Sequence, residues 1–338
     1  MKSIVLSEVP NNFLFPFTVT RSVLDFRIGI LTLREKWQFF AGREVKIDSD
    51  GSTIPGNIMP TQNLAESITN GKTGFDDVPK IEYPWQIFQL TDMAIRSDFK
   101  LITKNKKSYP LSSTNKHIAP ENIFIEDGVK IEHAILNAST GPIYISKNAE
   151  IMEGAMIRGP FFLGEESVVK MGAKIYGATS IGKKCVVGGE IKNSVFFDFS
   201  NKAHDGYIGD SVIGSWCNLG AGTANSNIKN TASDINVWDA TSGQFINAGK
   251  KCGLLMGDYS RSAINTSFNT GSVVGVCCNV FGGGLTPKHI PNFSWGFNKS
   301  EKYELKKAIT DITNWKKLKN EMLTDIEIQT LKHIFEKT

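Results

Sequence analysis

Residues 145–187, ISKNAEIMEGAMIRGPFFLGEESVVKMGAKIYGATSIGKKCVV, place an aliphatic side chain at every sixth position: Ile145, Ile151, Ile157, Leu163, Val169, Ile175, Ile181 and Val187. A helix repeats its apolar face about every 3.6 residues, and the alternation of a half-buried strand would not single out every sixth place. The pattern is that of a parallel β-helix, where each short strand sends one side chain into a shared interior and neighbouring coils bury what one coil cannot. Three hexads, about eighteen residues, make one triangular coil. Ile145, Leu163 and Ile181 then stack as one column, Ile151, Val169 and Val187 as a second, Ile157 and Ile175 as a third. The spacing within a column is roughly 4.8 Å. Each buried aliphatic contributes about 1.5–3 kcal/mol relative to exposure, so the run alone is a substantial core.

Outward from this run, Ile125 and Ile131 are again six apart and mark the start of the coils. Beyond Val187 the register breaks: Val195 is eight residues on and Asn201 takes the next sixth place, which reads as an insertion in the wall. The period returns at Ile208-Gly209, Ile213-Gly214 and Leu219-Gly220. A longer excursion runs from Asn225 to Lys251, with Trp238 and Phe245 as possible anchors, before coils resume over Leu255 to Gly284. Excursions from solenoids often carry binding function; a lid, an arm clasping the next protomer and a plain loop are all compatible with this one.

Residues 1–115 differ, mixing short apolar runs such as Ser3 to Leu6 with helical patterns at Leu31–Phe40 and Trp85–Ile95. They predict a small α/β domain, interrupted by an irregular Gly/Ser/Asn/Pro-rich stretch from Asp48 to Gly74. From Lys302 the pattern turns helical, with Leu305, Ala308, Ile309 and Ile312 on one stripe. Thr324-Asp325-Ile326-Glu327 reads as a capping box opening a last helix whose Ile328, Leu331 and Phe335 face inward. This tail covers the β-helix end or packs on a partner subunit. The predicted fold is mainly β: a parallel β-helix over 116–299, an α/β domain over 1–115 and a helical tail over 300–338.

With 338 residues, 41% hydrophobic and 21% charged, the composition suits two globular domains. A net charge of +4 with no Lys/Arg-rich block of five argues against nucleic acid as a partner. No apolar stretch approaches the roughly eighteen residues of a membrane helix, and the N-terminus lacks a basic region followed by an apolar run, so a cytoplasmic protein without a membrane span is expected. Cys185, Cys217, Cys252, Cys277 and Cys278 form no CxxC pair and read as reduced core thiols.

At Lys192 and over Asn201–Thr223, NKAHDGYIGDSVIGSWCNLGAGT, the chain resembles the acetyltransferase half of the bifunctional N-acetylglucosamine-1-phosphate uridyltransferase/glucosamine-1-phosphate acetyltransferase family. The family pattern there is a loop His, then Tyr-x-Gly-Asp, then Asn-x-Gly-Ala-Gly-Thr, within a left-handed β-helix that trimerises. The N-terminal FPFTVTRSVLDFRIGILTLREKW resembles the sugar nucleotidyltransferase-like domain of a bacterial subgroup carrying the same β-helix.

The resemblance implies an acyltransferase using acetyl-CoA as acyl donor, acting on an amino sugar phosphate or nucleotide sugar at the interfaces of a homotrimer. His204 matches the general base that takes a proton from the acceptor amine, a task suited to imidazole because it can be neutral near pH 7. Lys192 and Tyr207 match residues on the sugar phosphate, and Asn218 matches one on the acceptor. Gly220 and Ala221 match the segment whose backbone approaches the pantetheine arm, and Gly282 is placed with them on the donor's side. Lys174 stands where the family has a phosphate-binding arginine, and Ser233 where it has a second lysine; Lys lacks the bidentate fork of Arg, so these differences point to a different acceptor. The nucleotidyltransferase half relies on a Gly-x-Gly-Thr-x-Met phosphate loop, which does not occur here. Arg21, Arg27 and Lys36 are the clustered cations of that segment, with Asp25 as a candidate metal ligand should the domain use Mg.

Three other readings carry tests. A hexapeptide-type zinc hydratase needs three imidazoles, but His204 is the only histidine between Glu150 and Gly284, so no metal site is expected. A nucleotidyltransferase would release pyrophosphate from a nucleoside triphosphate with magnesium. A non-catalytic trimeric scaffold or sensor would show no saturable acetyl-CoA binding.

Overall fold

A computed structural model describes residues 5–10, 13–41, 46–48, 54–69, 78–298 and 301–338. From Lys116 onward the chain winds into a three-sided parallel β-helix. The first wall is a six-stranded sheet from Lys116–Ile118 to Tyr207–Gly209, extended by the pair Ala224–Asn225 and Ser267–Phe268. Wall 2 has nine strands, from Ile123–Ile125 to His289–Ile290. Wall 3 has ten, from Lys130–Ile131 to an antiparallel last strand at Glu301–Lys302.

The columns follow the hexads. Ile145 pairs with Leu163 and Leu163 with Ile181 in wall 2; Ile151, Val169 and Val187 align in wall 3; Ile157 pairs with Ile175 in wall 1. All eight are buried in one continuous cluster that extends down to Ile125 and Ile131 and up to Val280 and Ile290.

Beyond Val187 the wall is not interrupted. Ile175 pairs with Ile191, Ile181 with Phe196 and Val187 with Lys202, so this coil takes 15 residues where Val169 to Val187 takes 18. The expected insertion is a shortening, and the inward place belongs to Lys202 rather than Asn201. Two residues, Gly188 and Gly189, turn this corner between walls 3 and 1, where the previous coil uses four, Lys170 to Ala173.

Walls 2 and 3 meet at a corner whose residues are non-glycine yet left-handed: Glu166, Lys184, Phe199, Trp216, Tyr259, Cys277 and Phe293, with φ between 52° and 68°. Such a conformation costs an L-residue roughly 1–2 kcal/mol. Here it lines up large side chains, Phe199 and Trp216 stacking at 4.2 Å, which the C-terminal helices bury. These helices are Leu305–Lys317, whose Ala308 and Ile312 are buried, and Asp325–Glu336, opened by the expected Thr324/Glu327 capping box and burying Leu331 and Ile334. The tail therefore covers this long corner of its own chain rather than the end of the prism.

The N-terminal segment lies on the outer face of wall 2. It forms a small parallel sheet of Val5–Ser7, Lys46–Asp48 and Ile54–Pro55, with helices Leu33–Ala41, Gln62–Thr69 and Gln86–Thr103. The middle helix falls inside the stretch expected to be irregular: Leu64 and Ala65 face the core, and the Thr61 hydroxyl accepts from the Leu64 amide at 3.2 Å. Parts of that stretch, 49–53 and 70–74, lie outside the described residues. Leu14, Phe17, Phe26 and Trp37 share a core with the outward Val195, Val212, Leu255 and Val273 of wall 2. Lower down, Ile30 and Ile95 pack on Phe124, Tyr144 and Phe162. Within the excursion, Asn236–Asp239 and Gln244–Asn247 form a hairpin that joins the same core through Val237. Trp238 stacks on His289 at 4.7 Å, and Phe245 meets Trp238 edge-on. All five cysteines are buried and free.

Candidate functional site

With wall 2 and the wall 2/3 corner covered, the outer face of wall 1 and the edge between walls 3 and 1 stay open. Ile118, Ile135 and Met156 are exposed on wall 1. Two outward columns run up this wall. One reads Met156, Lys174, Glu190, Tyr207, and the other Arg158, Tyr176, Lys192, Gly209. Lys174, Lys192 and Tyr207 thus come onto one face within three successive coils.

The face is internally wired. The Tyr176 hydroxyl donates to Glu190 at 2.5 Å, which raises its pKa to about 12, and the Lys192 ammonium lies 5.9 Å over the Tyr176 ring. The Tyr207 ring lies across Gly209, where a Cβ would fall 2.2 Å from the phenol oxygen. Only glycine permits that approach. The Asn227 amide donates to the Tyr207 hydroxyl at 3.0 Å and also to Asp210, and Asn193 donates to Asp210 at 2.6 Å. Burial, with Asp210 nearby, pushes the Tyr207 phenol well above its ordinary value. Asp210 is buried and takes both amides, so it fixes the Asn193 side chain and that of Asn227, which bonds Tyr207.

His204 is exposed on the turn between Asn201–Lys202 and Tyr207–Gly209, at the open edge and not in an insertion. Its backbone carbonyl accepts from the ammonium of Lys202. Directly beneath is the shortened corner: a Cβ on Gly189, whose φ is +69°, would lie 2.8 Å from the His204 carbonyl oxygen. Gly220 and Ala221 form the corner one coil above, and the Gly222 amide donates to the Asp205 carbonyl at 3.0 Å. Ala263 and Ile264 follow, then Gly282, so His204 and the three small residues expected on the donor's side share one edge. The Gly220 amide is already bonded to the Ser262 carbonyl at 3.1 Å.

Asn218 is not brought to this group. It sits on the outer face of wall 3 between Asn201 and Arg261. The N-terminal cations are also taken up elsewhere. Arg21 pairs with the buried Asp258 of the β-helix; Lys36 pairs with the buried Asp98; Arg27 bonds the Ile30 carbonyl and lies 3.6 Å from Asp198. Asp25 pairs with Arg34 at 2.7 Å. Among the described residues no three His, Cys, Asp or Glu side chains converge in a metal-binding group, and no helix is long and apolar enough to cross a membrane.

Sequence reasoning missed Tyr176, Glu190, Asp210 and Asn227. Counting coils upward from Lys174 identifies the first two. Asn227 approaches Tyr207 only because the chain leaves the prism just there, which no periodicity reveals.

Residues 4–49 match a family described as "Sugar nucleotidyl transferase". The chain is 32% identical over 169 residues to a "Bifunctional sugar-1-phosphate nucleotidylyltransferase/acetyltransferase" of Sulfurisphaera tokodaii, covering 49% of this chain and 40% of the relative. It is 31% identical over 114 residues to a "Bifunctional protein GlmU" of Methanococcus maripaludis, covering 33% and 27%. A solved Arabidopsis UDP-N-acetylglucosamine acyltransferase covers 68% of this chain and 90% of its own at 14% identity, with a TM-score of 0.26. Both curated relatives are archaeal and support the broader bifunctional group rather than its bacterial subgroup. The chain spans less than half the length of either, so what the comparisons establish is a sugar nucleotidyl transferase-like N-terminal segment and similarity, over part of its length, to bifunctional nucleotidylyltransferase/acetyltransferases.

Proposed function

We propose that this chain is an acyl-CoA-dependent transferase that acetylates an amino sugar phosphate or nucleotide sugar, with His204 as general base. The observation that carries the reading is the shared edge of His204, Gly220, Ala221 and Gly282, running beside the face that bears Lys174, Lys192 and Tyr207. Acetyl-CoA supplies an activated carbonyl as its thioester. The neutral imidazole of His204 takes a proton as the acceptor amine attacks that carbonyl, a C–N bond forms, and the C–S bond breaks with the coenzyme thiolate leaving. Lys174 and Lys192 hold the acceptor's phosphate as point charges, and Tyr207 orients it from a phenol kept protonated by its surroundings. The small corner residues allow the pantetheine arm to lie close against the backbone. Asn218 lies on wall 3, away from Lys174, Lys192 and Tyr207 of the same chain.

The bare apolar positions of wall 1, Ile118, Ile135 and Met156, favour a second copy against this face, as a homotrimer would supply. The N-terminal segment serves as a brace on wall 2, because Arg21 and Lys36 are engaged in buried pairs rather than left for a nucleotide. A screen of acetyl-CoA with a panel of amino sugar phosphates and nucleotide sugars, read by thiol release, tests the transferase. Product from some pair, lost in His204→Ala, is expected; no saturable acetyl-CoA binding would leave the scaffold reading. Pyrophosphate release from a nucleoside triphosphate, a sugar phosphate and magnesium would instead reinstate nucleotidyl transfer.

A further inference from the structure

Lys202 is the anomaly of the prism. Its neighbours in the inward column are Val187 below and Leu219 above, and it is 1% exposed. A charged group in such a column is unfavourable unless its ammonium finds acceptors. It reaches one, the carbonyl of His204.

The need for that donor is visible against two other corners of the same edge. Three coils below, the Glu153 carbonyl, two residues past the inward Ile151, accepts the Gly172 amide of the following coil at 3.0 Å. In the coil above, the Ala221 carbonyl, two past Leu219, accepts the Asn265 amide at 2.7 Å. His204 is likewise two past Lys202, but the amide that would serve it, that of Gly222, bonds Asp205 instead. The turn has slipped by one residue over the short Gly188–Gly189 corner, and its carbonyl lacks the inter-coil backbone donor that those of Glu153 and Ala221 have.

We infer that Lys202 is a positioning residue for His204: its buried ammonium replaces the missing inter-coil amide and holds the turn 203–206, and with it the imidazole, at the open edge. The inference rests on the proposed role of His204 but is separable from it. Burial pushes the Lys202 amine down to about 8, while Asp205 opposes that shift, as expected for an ammonium kept inside by one carbonyl and one nearby carboxylate.

The test is Lys202→Met, which keeps the length of the stem and suits an apolar column, with Lys202→Leu, the residue type of the next coil, as a second variant. Backbone hydrogen exchange over residues 203–206 in the full chain is measured beside acyl transfer from acetyl-CoA to glucosamine 1-phosphate, or to whichever acceptor the screen identifies. Expected are an unchanged or raised melting temperature, at least tenfold faster exchange confined to 203–206, and kcat lowered at least tenfold with KM for acetyl-CoA changed less than threefold. Lys202→Arg, which keeps a donor, recovers part of both. Normal exchange and normal kcat in a folded Met or Leu variant would overturn the inference. So would failure of both apolar variants to fold, which would assign the amine to the prism itself. If His204→Ala retains full turnover, the base assignment fails alone, and the exchange measurement still decides whether Lys202 holds the turn.

Discussion

Arg21 and Asp258, 237 residues apart, form a salt bridge across the boundary between the N-terminal segment and the β-helix. Asp258 is almost fully enclosed and also accepts from the Thr20 hydroxyl at 2.6 Å and the Ser215 amide at 2.7 Å, while Arg21 lies 4.9 Å over the Phe197 ring. One carboxylate therefore binds a residue of the segment matched to sugar nucleotidyl transferases to a wall turn of the prism. Leaving a buried charge without its partner costs about 3–5 kcal/mol. Arg21→Ala is expected to lower stability by that order in urea unfolding, and Arg21→Met/Asp258→Leu by less than Arg21→Ala. Additive losses in the double variant would contradict a coupled pair.

Lys36 and Asp98 present the same situation wholly inside the N-terminal segment, where Asp98 also accepts from the Ile30 and Leu31 amides at 2.9 and 3.0 Å. Lys36→Ala is expected to destabilise by about 3–5 kcal/mol while leaving acetyl-CoA binding intact. Calorimetric titration of the folded variant checks the second half.

His204 is exposed and its side chain supports no packing, so His204→Ala should melt within about 2 °C of the wild type, as an uninvolved surface site does. Acyl transfer should fall by roughly 10²–10⁴-fold, the usual worth of a general base. Unchanged turnover would remove the base assignment.

Gly189→Ala places a Cβ 2.8 Å from the His204 carbonyl in a left-handed backbone. A loss of about 1–2 kcal/mol is expected from the conformation alone, with displacement of the His204 turn in addition. Gly172→Ala, at +67° with nothing within 4 Å of its Cβ, is the control: it should show the conformational cost without loss of acyl transfer.

The Lys202 amine is pushed down to about 8 in the folded chain from 10.5. Between those values the unfolded chain binds the additional proton, so stability rises with pH across that window and the burdened state lies below pH 8. Measured against Lys202→Met, the wild type should gain stability from pH 8 to about 10. A constant difference between the two proteins would show that the amine is not depressed.

The prism was legible because one period of six marks an inward side chain in every strand, and Ile145 to Val187 never leaves it. The misreading after Val187 has a definite cause. Losing three residues from a coil shifts the phase of a six-residue repeat as much as gaining three, so spacing alone does not distinguish a short coil from an inserted loop. Stepping by six from Phe196, which is inward, instead of from Val187 reaches Lys202 and then Ile208, and exposes the buried lysine. Asn218 was grouped with Lys192 and Tyr207 by motif, but strand assignment sends it to another wall. Arg21 and Lys36 read as members of a cation cluster because Asp258 and Asp98 are remote in sequence, and burial next to a distant carboxylate leaves no local signature.

The cover on wall 2 has a consequence for how the molecule can be divided. Phe124, Tyr144 and Phe162 below, and Val195, Val212, Leu255 and Val273 above, form an oily stripe along the prism that, among the described residues, those ahead of Lys116 and the excursion carrying the 236–247 hairpin shield from water. The two halves are not beads on a string: a fragment starting at the first coil would bare that stripe and adhere to its own copies. Experiments that seek the β-helix chemistry in isolation must keep the leading segment, even if that segment handles no nucleotide.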